Sequence, residues 1–236
     1  MYGLYGWLLA RGQEAYLNQM PQDKGVIGVY PEIQQGNPTN AKTVVRYILN
    51  KPGLIPALMS DGSLVKGPTE FGKDDILYYF SSLYGDGDVM FLPILDLRLF
   101  KDQGKKRTRT AFFQGKGMNY EYNPVHPDDA FLIDRHFAND QGKLADFLNE
   151  CHTIYVYDPV SAMTELARLC GVRVVMINPV YSKEEFGKYE PGMNGISWGK
   201  DEGIELDTHA FREKYKQLRR RFETDLDSFI ERTQNA

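Results

Sequence analysis

The stretch "YVYDPVSAMTELARLCGVRVVMI", residues 155 to 177, decides the fold. It reads as an apolar strand, a tight turn, a short helix and a second apolar strand, the sequence form of a parallel crossover unit. Asp158 is placed to cap the helix, with Pro159 at its first position, where a missing N–H costs nothing. The free N–H groups of Val160, Ser161 and Ala162 then point over the carboxyl end of the sheet, where open α/β sheets bind anions and nucleotides. Val160, Met163, Leu166, Ala167 and Cys170 form the apolar stripe, which leaves Ser161 and Glu165 one turn apart on another face. A carboxylate there can bind the two hydroxyls of a ribose. Spacing alone is served at least as well by a plain cap at Asp158 and a solvated Glu165.

Three more short apolar runs surround this unit: TAFF (110 to 113), FLID (131 to 134) and the start of TIYVY (153 to 157). Their alternation with helical segments makes this half Rossmann-like. TAFF runs into Gly115-Lys116-Gly117, where glycines let a backbone approach a diphosphate and a lysine can neutralise it. The loop has neither the Walker spacing nor the G-x-G-x-x-G fingerprint, which counts against ATPase and dehydrogenase functions.

Upstream, residues 3 to 18 carry a helical apolar stripe, and GVIGVY (25 to 30) reads as a strand. TNAKTVVRYILN (39 to 50) reads as a helix opened by Asn37, Pro38 and Thr39 and stopped by Pro52-Gly53. ILYYF (76 to 80) and VMFLPIL (89 to 95) read as strands, the second ending or lying at an edge because of Pro93. The charged, glycine-bearing run KDQGKKRTR (101 to 109) marks a boundary. The expected organisation is a first α/β unit over 1 to 100, a second over 101 to 203, and a helical tail over 204 to 236. In the tail, Phe211, Tyr215, Leu218, Phe222, Leu226, Phe229 and Ile230 recur at helical spacing. Such a stripe either docks on the protein's own core or, with Arg219 to Arg221 beside it, lies peripherally on a membrane.

Composition narrows the partners. The 236 residues are 42% apolar and carry a net charge of -4, without the concentrated positive face of nucleic-acid binders. Cys151 and Cys170 fall on apolar faces and suit a reducing, cytoplasmic setting. The N-terminal apolar stretch lacks a signal peptide's basic start and meets Arg11 too soon to span a bilayer. The four histidines show no metal-ligand spacing, and none precedes residue 126. A histidine base from the first unit is therefore unavailable, and an inverting reaction would need an Asp or Glu as base. Glu32, on the loop YPEIQQGNPTNAK after the first strand, is the first choice, with Asn37 beside it at the sheet edge.

Three stretches, "GVIGVYPEIQQGNPTNAKTVVRYILNKPG" (25 to 53), "RTRTAFFQGKG" (107 to 117) and "KLADFLNECHTIYVYDPVSAMTELARLCGVRVVMI" (143 to 177), resemble bacterial and viral glycosyltransferases of the two-Rossmann-domain (GT-B) architecture, similar to rhamnosyltransferase-like enzymes of surface polysaccharide synthesis. They cover about a third of the chain, in the family's order. The resemblance implies α/β architecture with two Rossmann-like units, the first incomplete, and a C-terminal amphipathic helix. It implies a nucleotide-sugar donor, a UDP- or dTDP-sugar, on the second unit and a saccharide or other hydroxyl acceptor against the first; since the sequence offers no carboxylate cluster typical of a metal-dependent transferase, no metal requirement is expected. It assigns Glu165 to the ribose, Ser161 to the phosphates, and Gly115, Lys116 and Gly117 to the loop near the diphosphate. Tyr157 stands where many relatives have a glutamate that contacts the donor sugar, and Asp158 is placed to take over part of that contact. The abbreviated first unit leaves room for completion by a second copy. It equally suits a non-catalytic nucleotide-binding or assembly subunit that keeps the fold.

Overall fold

The computed structural model describes residues 2–17, 25–58, 64–121 and 123–236. The chain divides into two compact units, Met1–Ile94 with Leu218–Ala236, and Leu95–Gln217. Both are built on parallel sheets, so the protein is α/β.

The first unit opens with α1 (Tyr2–Ala10), shorter than the expected helix, whose last residue, Asn18, lies outside the described residues. Strands β1 (Ile27–Pro31), β2 (Thr43–Ile48), β5 (Ile76–Tyr79) and β6 (Asp88–Val89) form one parallel sheet in that order, and β3 (Ala57–Leu58) pairs with β4 (Leu64–Val65) as a separate hairpin. The helix expected over 39 to 50 is strand β2 instead. Its core, TVVRYI, is β-branched and aromatic, and a strand buried on both faces reads as a continuous apolar run that periodicity alone cannot tell from a helix. Of the run VMFLPIL only Val89 is in a strand. Val45 and Tyr47 face a core shared with Leu4 of α1 and with Phe222, Leu226 and Phe229. Arg46, between them in sequence, projects to the opposite face.

The second unit holds a five-stranded, wholly parallel sheet in the order β11-β10-β9-β7-β8. Its strands are β7 (Arg109–Phe113), β8 (Phe131–Leu132), β9 (Cys151–Val156), β10 (Arg173–Met176) and β11 (Ile196–Trp198). Helices α2 (Arg135–Asn139), α3 (Gln141–Leu148), α4 (Met163–Leu169) and α5 (Lys183–Phe186) lie in the crossovers. Asp134 and Asp140 cap α2 and α3, and Ser182 with Glu185 forms a capping box on α5. From β7 the chain winds outward to β8 on one side, then returns to β9, β10 and β11 on the other. The winding direction therefore reverses between β7 and β9, and at such a switch point the carboxyl ends of the strands leave a crevice.

The last helix, α6 (Thr208–Gln234), is divided between the units at residue 218. Most of its stripe is covered: Phe211, Tyr215, Leu218, Phe222, Leu226 and Phe229 are each 5% exposed or less, and Ile230 is partly buried against the same core as Phe229. The membrane contact suggested for this helix thereby loses the apolar face it needed. Among the described residues no helix is long and apolar enough to cross a membrane.

Candidate functional site

At the switch point, β7 ends at Phe113 and β9 at Val156, and the Tyr157 amide extends their pairing by donating to the Phe113 carbonyl at 2.9 Å. Gly115–Asn119 then curls into one turn of 3₁₀ helix against the end of β9. Both glycines are needed there. Gly115 has φ +50°, and a Cβ on it would collide with the Asp158 carboxylate; a Cβ on Gly117 would collide with the Tyr157 carbonyl. The close approach that glycine permits is thus first of all an approach to the protein's own strand.

Asp158 fastens the two loops together. Its carboxylate accepts the Lys116 amide at 2.9 Å, the Lys116 ammonium at 2.9 Å and 3.2 Å, and the Val160 amide at 3.2 Å. The ammonium also donates to the Val160 carbonyl at 2.8 Å. The Asp158 side chain is 4% exposed and that of Lys116 31%. A buried carboxylate with three donors is well satisfied, and Lys116 arrives with its charge already balanced.

Asp158 is therefore not the cap of α4. Its bond to Val160 closes a turn, and the helix starts at Met163, where the Ser161 hydroxyl accepts the Met163 amide at 3.2 Å. Pro159 sits in that turn and not at the first helical position. The amides of half-exposed Ser161 and exposed Ala162 meet no acceptor among the described residues.

Glu165 also departs from the expected exposed face. All seven residues of α4 are buried, and Glu165 is 3% exposed. It accepts the Thr164 hydroxyl at 3.3 Å and is hydrogen-bonded to Tyr189, with the Arg168 charge nearby; burial still raises its carboxyl above the ordinary range. Arg168 is fully buried, donates to the carbonyls of Thr164, Gly192 and Asn194, and lies 4.0 Å from the Phe211 ring centre. Burial lowers its guanidinium to about 10. The helix is polar at these positions because a buried network, and not solvent, receives them.

Tyr157 is buried as well. Its hydroxyl accepts the Val125 amide at 3.1 Å and lies 2.7 Å from His126 Nδ1. His126 stacks on Phe112 at 3.9 Å between centres and 10° between planes, and burial lowers its basicity. The sequence contained no sign of this grouping, because Phe112, His126 and Tyr157 share no local spacing.

In the first unit, Glu32 is 3% exposed at the carboxyl ends of β1 and β2. It accepts the Leu49 amide at 2.9 Å, and burial raises its carboxyl. Asn37 is consumed by its own loop: its side chain accepts from Ala41 and Tyr30 and donates to the Ala41 carbonyl.

The structure thus brings Gly115, Lys116, Gly117, Tyr157, Asp158 and Ser161 together at the switch point. It buries Glu165 behind them and places Glu32 in the other unit. No protein-family model matches the chain, and a search of curated proteins finds no match.

Proposed function

We propose that the chain is a nucleotide-sugar-dependent glycosyltransferase of GT-B architecture, with the donor nucleotide over the switch point of the second unit. The observation that supports it is the meeting of the Gly115–Gly117 loop with the Asp158–Ala162 turn at the one reversal of a wholly parallel sheet. In the reaction, an acceptor hydroxyl oxygen attacks the anomeric carbon, its proton passes to a carboxylate, and the bond to the diphosphate breaks. Negative charge grows on the leaving diphosphate. The Ser161 and Ala162 amides and the Lys116 ammonium are the groups in the crevice suited to meet it without a metal. Lys116 has a second task, since an unpaired Asp158 would repel the donor. Glu32, with its raised carboxyl, is the candidate base.

A non-catalytic nucleotide-binding subunit is the second reading. The prior pairing of Lys116 with Asp158 and the burial of Glu165 favour it, because both withdraw side chains assigned to the donor.

Thermal melts with UDP and dTDP separate these functions from neither. A ligand at about a hundred times its Kd adds about 2.7 kcal/mol of stability. Stabilisation followed by release of UDP or dTDP from sugar donors, in the presence of chelator, supports the enzyme. Stabilisation without turnover supports the binding subunit, and activity restored only by manganese rejects metal independence.

A further inference from the structure

The sheet of the second unit ends at β8, whose outer edge pairs with no strand among the described residues. Phe131 and Leu132, 40% and 42% exposed, are the only sequence neighbours among the exposed large apolar side chains of the described residues. Successive strand residues point to opposite faces, so both faces of the sheet are open at this edge. Phe131 leans on Phe137 and Phe147, with ring centres 5.1 Å and 4.7 Å away, and is still exposed.

The backbone is open there too. The Ile133 amide donates inward to the Phe112 carbonyl at 2.9 Å. Amides alternate in direction along a strand, so those of Leu132 and Asp134 point away from β7, as do the carbonyls of Ala130 and Leu132. Asp134, the cap residue of α2, keeps an extended backbone and continues the line of β8. Exposed apolar side chains beside outward donors and acceptors make this edge a template for another strand.

Charge decides which strand. The exposed acids Asp128 and Asp129 precede β8, and the exposed Arg135 and His136 follow it. Asp129 and Arg135 have no ion-pair partner among the described residues. Antiparallel pairing of two copies about Leu132 sets Asp129 opposite Arg135 of the second copy and Asp128 opposite its His136. The two Leu132 residues then exchange amide-to-carbonyl bonds, and each Asp134 amide meets the Ala130 carbonyl of the second copy. In-register parallel pairing would instead set each charge against its like. The segment is thus complementary to its own reversal, as an isologous interface requires.

We propose that β8 is the self-pairing edge of a two-fold dimer, in which two five-stranded sheets join into one continuous sheet. This interface depends neither on a bound nucleotide nor on glycosyl transfer.

Sedimentation velocity of the full chain over a wide range of concentration tests it, and thermal melts establish that each variant folds. The wild-type chain should form dimers, and Leu132→Lys, which puts a charge on the edge, should leave monomers. Asp129→Arg and Arg135→Asp should each weaken association by about fivefold or more, since each sets like charges opposite one another twice. The two substitutions together exchange the signs of the pair and should recover the wild-type affinity. Hydrogen exchange at the Leu132 and Asp134 amides should slow in the dimer. A wild-type chain that stays monomeric overturns the proposal, even one whose β8 captures an unrelated extended peptide. So does a dimer that all three single variants leave unchanged, or a double variant that associates no more tightly than the single charge variants.

Discussion

Lys116 and Asp158, 42 residues apart in sequence, form the pair that locks the end of β7 to the end of β9, with the ammonium 2.9 Å from the carboxylate. The pair is local in space and remote in sequence, and both candidate loops depend on it. Removing the ammonium leaves a carboxylate that is 4% exposed with two backbone donors and no countercharge.

Lys116→Met should destabilise the fold by about 1 to 3 kcal/mol, and Asp158→Asn by a similar amount. The double variant should cost clearly less than the sum, because each single change strands the other partner. Urea unfolding of the four proteins measures this, and additive costs would show that the pair does not couple the loops. If the crevice holds a donor, Lys116→Ala should also lower turnover by about tenfold to a thousandfold.

Glu32 gives a pH signature. Its carboxyl is raised by burial from 4.5, so above that pH the unfolded chain releases this proton before the folded one does. The contribution of Glu32 to stability is therefore whole at acid pH and declines as pH rises through the raised folded value. Glu32→Gln keeps an oxygen for the Leu49 amide and has no proton to lose. Relative to this variant, the wild-type protein should lose stability as pH climbs from 4.5, and a difference independent of pH would refute the assignment.

How much of this was legible in the sequence differs between the units. The second sheet was readable because β7, β9 and β10 are short apolar runs set apart by turn residues, and the Gly-Lys-Gly loop follows directly on β7. Strand β2 was misread because Val44, Val45, Tyr47 and Ile48 are apolar without alternation, the pattern of a strand covered on both faces. Glu165 was misread for a related reason. A glutamate four places from Ser161 signals an exposed face only when nothing packs there, and Tyr189 and Arg168, the latter stacked on Phe211, enclose it. The Lys116–Asp158 and Tyr157–His126 contacts join loops that only the sheet order brings together.

Cys151 and Cys170 are free and buried, and burial pushes both thiols up to about 12. Neither should react with a disulfide reagent at pH 8 in the native protein, since the thiolate is the reactive form. Two thiols should appear on unfolding. Rapid labelling of either in the folded chain would contradict its placement.

The central claim is the position of the nucleotide, and a crystal structure of the full chain with UDP bound tests it most directly. The account predicts the diphosphate at the carboxyl ends of β7 and β9, within hydrogen-bonding reach of the Ser161 and Ala162 amides and beside Lys116. UDP bound elsewhere, or a crevice left empty at saturating UDP, would contradict it.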